Sequence, residues 1–280
     1  MDQDEIKRRF EQVVRPGYGS VYASEIAFLQ SIIEHHRPAT FIEIGTASGL
    51  STGFIANFLQ DNGGRHLISV DESDEFFGDR TKPTGFLVPQ LFDQKGLKVD
   101  LITHKTALDV AGFSRPYDMA FIDGNHQHPW PALDMMALYP HMSGAKMMAH
   151  HDLCLFAHQY PNLGIGPKYV FDQFPDTHRH RATARKGNIF TVDLTIDQER
   201  FETILSDLFN LPWTLHDPLE APTIKKIQAI LDQHYSPQLR QEFDRCLQYF
   251  GDKRRLELAQ SRRIFVRLGN KIRKLYARWT

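Results

Sequence analysis

The sequence predicts an α/β fold: a mostly parallel sheet closed by an antiparallel hairpin, followed by a helical extension. Three observations carry this. Five short apolar runs alternate with helix-like segments up to Leu153, which demands crossover connections and therefore a parallel arrangement. Two further strand-like runs meet at Lys186-Gly187 within HRHRATARKGNIFTVDL, His178 to Leu194, bringing the sheet to seven strands. After about residue 195 strand patterning stops and helix signals take over. With 280 residues and 41% hydrophobic content, the chain can bury one large core with an appendage. The expected division is 1–195, with 1–36 as a helical cover, and 196–280.

Taken in order, Tyr22, Ile26, Leu29 and Ile33 recur at helical steps and give the cover one apolar face. FIEIGTASGLST then reads as a strand, Phe41, Ile42 and Ile44, running into a turn that opens a helix. Gly45 and Gly49 let this turn approach a ligand closely. Their four-residue spacing differs from the G-x-G-x-x-G that brings a backbone to a dinucleotide pyrophosphate. Glu43 is an acid in an apolar strand and needs a partner, for which a ligand amine would serve. HLISVDES ends a second strand at Asp71, where a carboxylate can accept both hydroxyls of a ribose. KVDLITHKTA reads as a third strand ending near Thr106 and Ala107. YDMAFIDGNHQHPWPALDMM gives a fourth, ending at Asp123-Gly124 with His126 just beyond. LYPHMSGAKMMAHHDL gives a fifth, ending in His150-His151-Asp152. The following CLFAHQYPNLGIGPKYVFDQF sits where such folds carry a lid, and Tyr160, Tyr169 and Phe171 are equally candidates for a pocket lining and for simple core. In the extension, Thr195 with Gln198 offers a capping box, Ser236-Pro237 a helix start and Gly251 a helix end.

An acid, one residue, Gly, three residues and Gly after a strand resembles motif I of the class I S-adenosylmethionine (SAM) methyltransferases. F-I-D-G-x-H after strand four and H-D after strand five resemble a small-molecule and sugar O-methyltransferase subfamily and, more distantly, the metal-dependent catechol O-methyltransferases. The resemblance covers roughly residues 20–195. It implies a Rossmann-like class I fold, a SAM cofactor, and a hydroxylated small-molecule acceptor, with a glycan included. It further implies cofactor contacts from Glu43, Gly45, Thr46, Ala47, Ser48, Gly49, Ser51, Asp71, Glu72, Thr106, Ala107, Asp123 and Gly124. Within that set Glu43 would meet the methionine ammonium, and Thr106 with Ala107 the adenine. Val21 to Ser24 would cover the methionine end, unless that helix merely packs on the sheet. Asp123 and Asp152 could hold Mg²⁺. The related enzymes place Asp-Asn or Asp-Asp after strand five where this chain has His151-Asp152, so a histidine-containing site and a metal-free site both stay open.

Methyl transfer from a sulfonium is an in-line displacement that needs the acceptor oxygen positioned and its proton removed. His126 and His151, beside Asp123, are the candidate bases, one after each strand that lines the cleft. His128 and His150 are weaker candidates, since the chain holds 14 histidines. Two other classes compete: an NAD-dependent oxidoreductase, disfavoured by glycine spacing and hairpin, and a non-catalytic adaptor.

The adaptor idea comes from the basic end. Residues 253–280 hold ten Lys or Arg against one acid in a chain of net charge −1. Over 258–279 the apolar and basic residues segregate as in an amphipathic helix that either docks on its own domain or on a second copy of the chain, or touches an anionic membrane or an acidic partner. Nucleic-acid binding is not expected, because the remainder is acidic and carries no known binding module. The charged opening MDQDEIKRRF, the lack of a long apolar tract and the isolated Cys154 and Cys246 predict a cytoplasmic protein without a signal peptide, with peripheral membrane attachment left open.

Overall fold

The computed structural model describes residues 1–18, 21–93, 96–113, 116–157 and 164–253. Tyr160 and the basic segment 258–279 therefore lie outside the described residues. Seven strands form one sheet in the order β3-β2-β1-β4-β5-β7-β6: β1 (Thr40–Ile44), β2 (His66–Val70), β3 (Lys98–Ile102), β4 (Tyr117–Ile122), β5 (Met142–His150), β6 (Arg179–Arg181) and β7 (Phe190–Asp193). The first five are parallel, and β7 runs antiparallel to both β5 and β6. The strand order reverses at β1 and β4, and at such a switch point the loops leaving the two carboxyl ends part to make a crevice.

Helices cover both faces. Phe41, Phe121, Met147 and Ala149 pack with α2 (Ala23–His36) and α3 (Leu50–Asp61), and α1 (Gln3–Val13) adds Ile6. A short α4 (Val88–Leu91) lies beside α3. On the other face α5 (Trp130–Leu138) packs with α6 (Gly166–Gln173) and α7 (Gln198–Asn210). Leu133, Phe201, Leu205 and Phe209 are sealed from solvent there.

Local chemistry explains where the elements differ from expectation. The third strand stops at Ile102, short of Thr106. Thr106 instead caps a turn of 3₁₀ helix, its Oγ1 accepting from Leu108 N at 3.3 Å while Asp109 accepts from Thr106 N at 3.1 Å. At the start of α7 the cap is Asp197, which accepts from Arg200 N at 2.7 Å; Thr195 turns back to Asp193 and makes no capping box with Gln198. The hairpin forms as expected, although residues 182–189, including a 3₁₀ turn at Ala184–Gly187, separate its short strands.

By Cα proximity the chain divides into Met1–Thr214 and Leu215–Thr280. The first compact unit thus runs past residue 195 and takes α7 with it. The second contains α8 (Ala221–His234) and a helix over 237–253 that passes through Gly251 rather than ending there. Ser236 Oγ accepts from Leu239 N at 3.3 Å, the start expected for that helix. Gln228 on α8 donates to Asp244 at 2.8 Å and ties the two helices together. Among the described residues no helix is long and apolar enough to cross a membrane.

Candidate active site

The turn after β1 is built by two glycines with positive φ, Gly45 at 96° and Gly49 at 81°. A Cβ on Gly45 would stand 2.2 Å from the carbonyl oxygen of Asp123, so only glycine lets this loop pass the end of β4. Asp71 holds the loop from the other side. Its Oδ2 accepts from Thr46 N at 3.0 Å and Ala47 N at 2.9 Å, and its Oδ1 from Ser73 N at 3.0 Å.

Two adjoining cavities open above this loop. One, of about 290 Å³, is lined by Gly45, Ala47, Asp71, Glu72, Thr106 and Trp130 among others; Asp134 also lines it. The other, of about 300 Å³, is lined by Val21, Thr46, Ser48, Ser51, His126 and Asp152 among others. Gly45, Ala47, Phe77, Asp123 and Gly124 belong to both, and Phe77 is 76% exposed. The cavities are thus two halves of one cleft meeting above Asp123.

Most of the expected residues come together here, but Glu43, Ala107 and His151 are wholly buried and line neither half. Gly49 starts α3 just outside the cleft. Glu43 finds its partners inside the protein: Ser51 Oγ donates at 2.6 Å, Thr52 Oγ1 at 2.5 Å and Ser69 Oγ at 2.6 Å. Burial raises its pKa to about 7 against the pull of these hydroxyls. The acid of motif I therefore welds β1, β2 and α3 together without needing a ligand amine.

The histidines divide in the same way. His151 Nε2 lies 3.2 Å from Glu25 on α2, and Nδ1 lies 3.2 Å from Asp123 and 3.3 Å from Asp152. Burial opposes its protonation, yet Asp123, Glu25 and Asp152 push its pKa well above the ordinary imidazole value. Enclosed by three carboxylates and lining neither half of the cleft, His151 has no open path to an acceptor, so the geometry does not favour the expected basic role. Burial alone would raise the Asp123 carboxyl, but His151 and His126 hold it below the usual carboxylate range. His128 Nε2 donates to Leu208 O at 2.8 Å, and burial lowers its pKa to about 4. His150 stacks on Phe190 at 5.1 Å.

His126 alone among them faces the cleft. Its Nε2 lies 3.3 Å from Asp123 and 3.6 Å from Asp152, buried and without a formed hydrogen bond. Asp123, His126 and Asp152 each offer a ligand atom, all within 4.8 Å of one another. Asp152 has a left-handed φ of 62°, and Asn188, just before β7, donates to its Oδ1 at 3.1 Å.

Residues 42–153 match the methyltransferase domain family. Over these residues the chain carries a methyltransferase domain. The two solved structures named first below agree with the fold. A putative caffeoyl-CoA O-methyltransferase from Staphylococcus aureus shares 15% identity over 69% of this chain and 93% of its own, with a TM-score of 0.51. Cofactor-bound Rv0187 from MTB shares 15% identity over 69% and 89%, with a TM-score of 0.50. The O-methyltransferase TomG from Streptomyces achromogenes, solved with SAM, shares 17% over 68% and 88%, with a TM-score of 0.45. No protein of curated function matches the chain.

Sequence reasoning missed Glu25, Phe77 and Asp134 in this methyltransferase. Glu25 and Asp134 carried a readable signal, an acid amid apolar helix positions, which is the logic that singled out Glu43. Phe77 carried none.

Proposed function

We propose that this methyltransferase transfers the SAM methyl group to a hydroxyl oxygen of a small acceptor, with a sugar or glycan as the leading class. The observation that carries this is the convergence of Asp123, His126 and Asp152 where the two halves of the cleft meet. The half with Asp71, Glu72 and Thr106 suits the adenosine, since Asp71 stands where ribose hydroxyls would lie. The half with Val21, Ser48 and Ser51 suits the methionine end. An acceptor entering over Asp152 and His126 would reach the methyl group from the far side, as in-line transfer requires.

The donor set fits a divalent cation, because three ligand atoms converge and a buried imidazole nitrogen among them has no hydrogen bond. Asp123 and Asp152 are the oxygen ligands expected for Mg²⁺, and His126 widens the choice to ions that accept imidazole. Such an ion, when bound, supplies Lewis-acid polarisation of the acceptor hydroxyl. In its absence His126 is the base, oriented by the two carboxylates. Asn188 keeps Asp152 turned toward the cleft in either case.

The test is calorimetric titration with S-adenosylhomocysteine, with and without Mg²⁺ or Mn²⁺, followed by methyl transfer to a panel of sugars and phenols. Micromolar binding and transfer to a hydroxyl are expected, with no binding of NADH. His126→Ala should leave homocysteine-product affinity within about threefold and lower turnover by roughly 10² or more, the usual scale for loss of acid–base help. Binding and turnover falling together in a folded variant would move His126 into the cofactor half.

A further inference from the structure

Asp134 is a buried carboxyl without a task in the account above. It sits on α5, is 4% exposed, and lines the half of the cleft that holds Asp71, Thr106 and Trp130. Its Oδ2 stands 3.9 Å from the place a Cβ on Gly124 would take, so the carboxyl reaches the carboxyl end of β4, where the cleft opens. Among the described residues nothing hydrogen-bonds it. The charged groups that act on it are His126, which favours its ionised form, and Glu72, which disfavours it. Leaving such a group unpaired costs about 1–3 kcal/mol, so its presence in a packed helix needs a compensating partner.

We propose that Asp134 reads the adenine of the cofactor, pairing with the 6-amino group and the ring nitrogen beside it. This rests on the SAM reading and adds a specificity residue to it. The chemistry selects the partner. A carboxyl in its neutral form presents one donor and one acceptor side by side in a plane. Adenine presents the complementary pair, an exocyclic N–H next to a ring nitrogen. The ribose offers two hydroxyls that can each donate, which Asp71 already matches, and the methionine end lies toward the other half. Burial raises the Asp134 pKa to about 7, which keeps the donating form populated near neutrality. Trp130, lining the same wall, offers an indole to the purine.

The experiment compares S-adenosylhomocysteine with its purine analogue lacking the 6-amino group, titrated into the full chain by calorimetry. The unaltered protein is expected to prefer the amino compound roughly tenfold, the scale of one well-made buried hydrogen bond. Asp134→Ala should bind both compounds weakly and alike. Asp134→Asn, whose amide offers a donor and an acceptor at the same reach, should restore the preference. Equal affinity of the unaltered protein for the two compounds overturns the proposal, as does an undiminished preference in a folded Asp134→Ala. Failure of the unaltered protein to bind S-adenosylhomocysteine at all removes the cofactor reading, and this proposal with it.

Discussion

Glu43 and Asp134 are both buried carboxyls on apolar elements, and burial drives both pKa values to about 7. Their surroundings are opposite. Glu43, between β1 and α3, receives three hydroxyl donors from Ser51, Thr52 and Ser69. Asp134, on α5, lines the cleft and receives none from the described residues. The difference teaches how to separate an acid that builds the fold from one that waits for a ligand: burial and pKa are shared, and the hydrogen-bond partners decide.

Removing each carboxyl should break the symmetry between them. Glu43→Leu leaves three buried hydroxyls without their acceptor and should cost about 4 kcal/mol of unfolding free energy in a denaturant titration; a loss below about 1 kcal/mol would show that the hydroxyls find other partners. Asp134→Asn should go the other way and depend on pH. The folded carboxyl holds its proton more tightly than the unfolded one, so the stability of the unaltered protein falls as pH rises from about 4 through about 7. The Asn variant lacks this loss and should gain on the unaltered protein over that window, by about 4 kcal/mol at pH 8. A difference between the two that stays flat with pH would place the Asp134 carboxyl in a wetter site. The smallest effect concerns the loop between them. Asp71→Ala removes the acceptor of Thr46 N and Ala47 N together with the proposed ribose contact, and should weaken S-adenosylhomocysteine roughly tenfold. Unchanged affinity in a folded variant would take Asp71 out of the site.

The sheet was legible because its signals are local. Alternating apolar runs, the Gly45–Gly49 turn and the break at Lys186-Gly187 each lie within a dozen residues, and each forms. The errors fall where two local readings compete. Thr106 reads as extended but its hydroxyl is better used as a cap, and Asp197 outcompetes Thr195 because a carboxylate is the stronger acceptor at a helix start. The roles of the site residues were less legible, since they depend on distant partners. His151 looks like His126 in sequence, and what raises its pKa is Asp123, 28 residues earlier, and then Glu25, 126 residues earlier. Asn188, which fixes Asp152, sits 36 residues later in the hairpin, among residues that carried no motif.

The approach of Gly45 to Asp123 has a consequence for anyone mapping this protein by exhaustive substitution. The loop and the acid touch through backbone, with no room for a methyl group between them. Any side chain at 45 would displace the peptide that carries Asp123, and would injure chemistry as well as cofactor affinity. Position 45 will therefore score like a reacting residue, although it has no side chain with which to react.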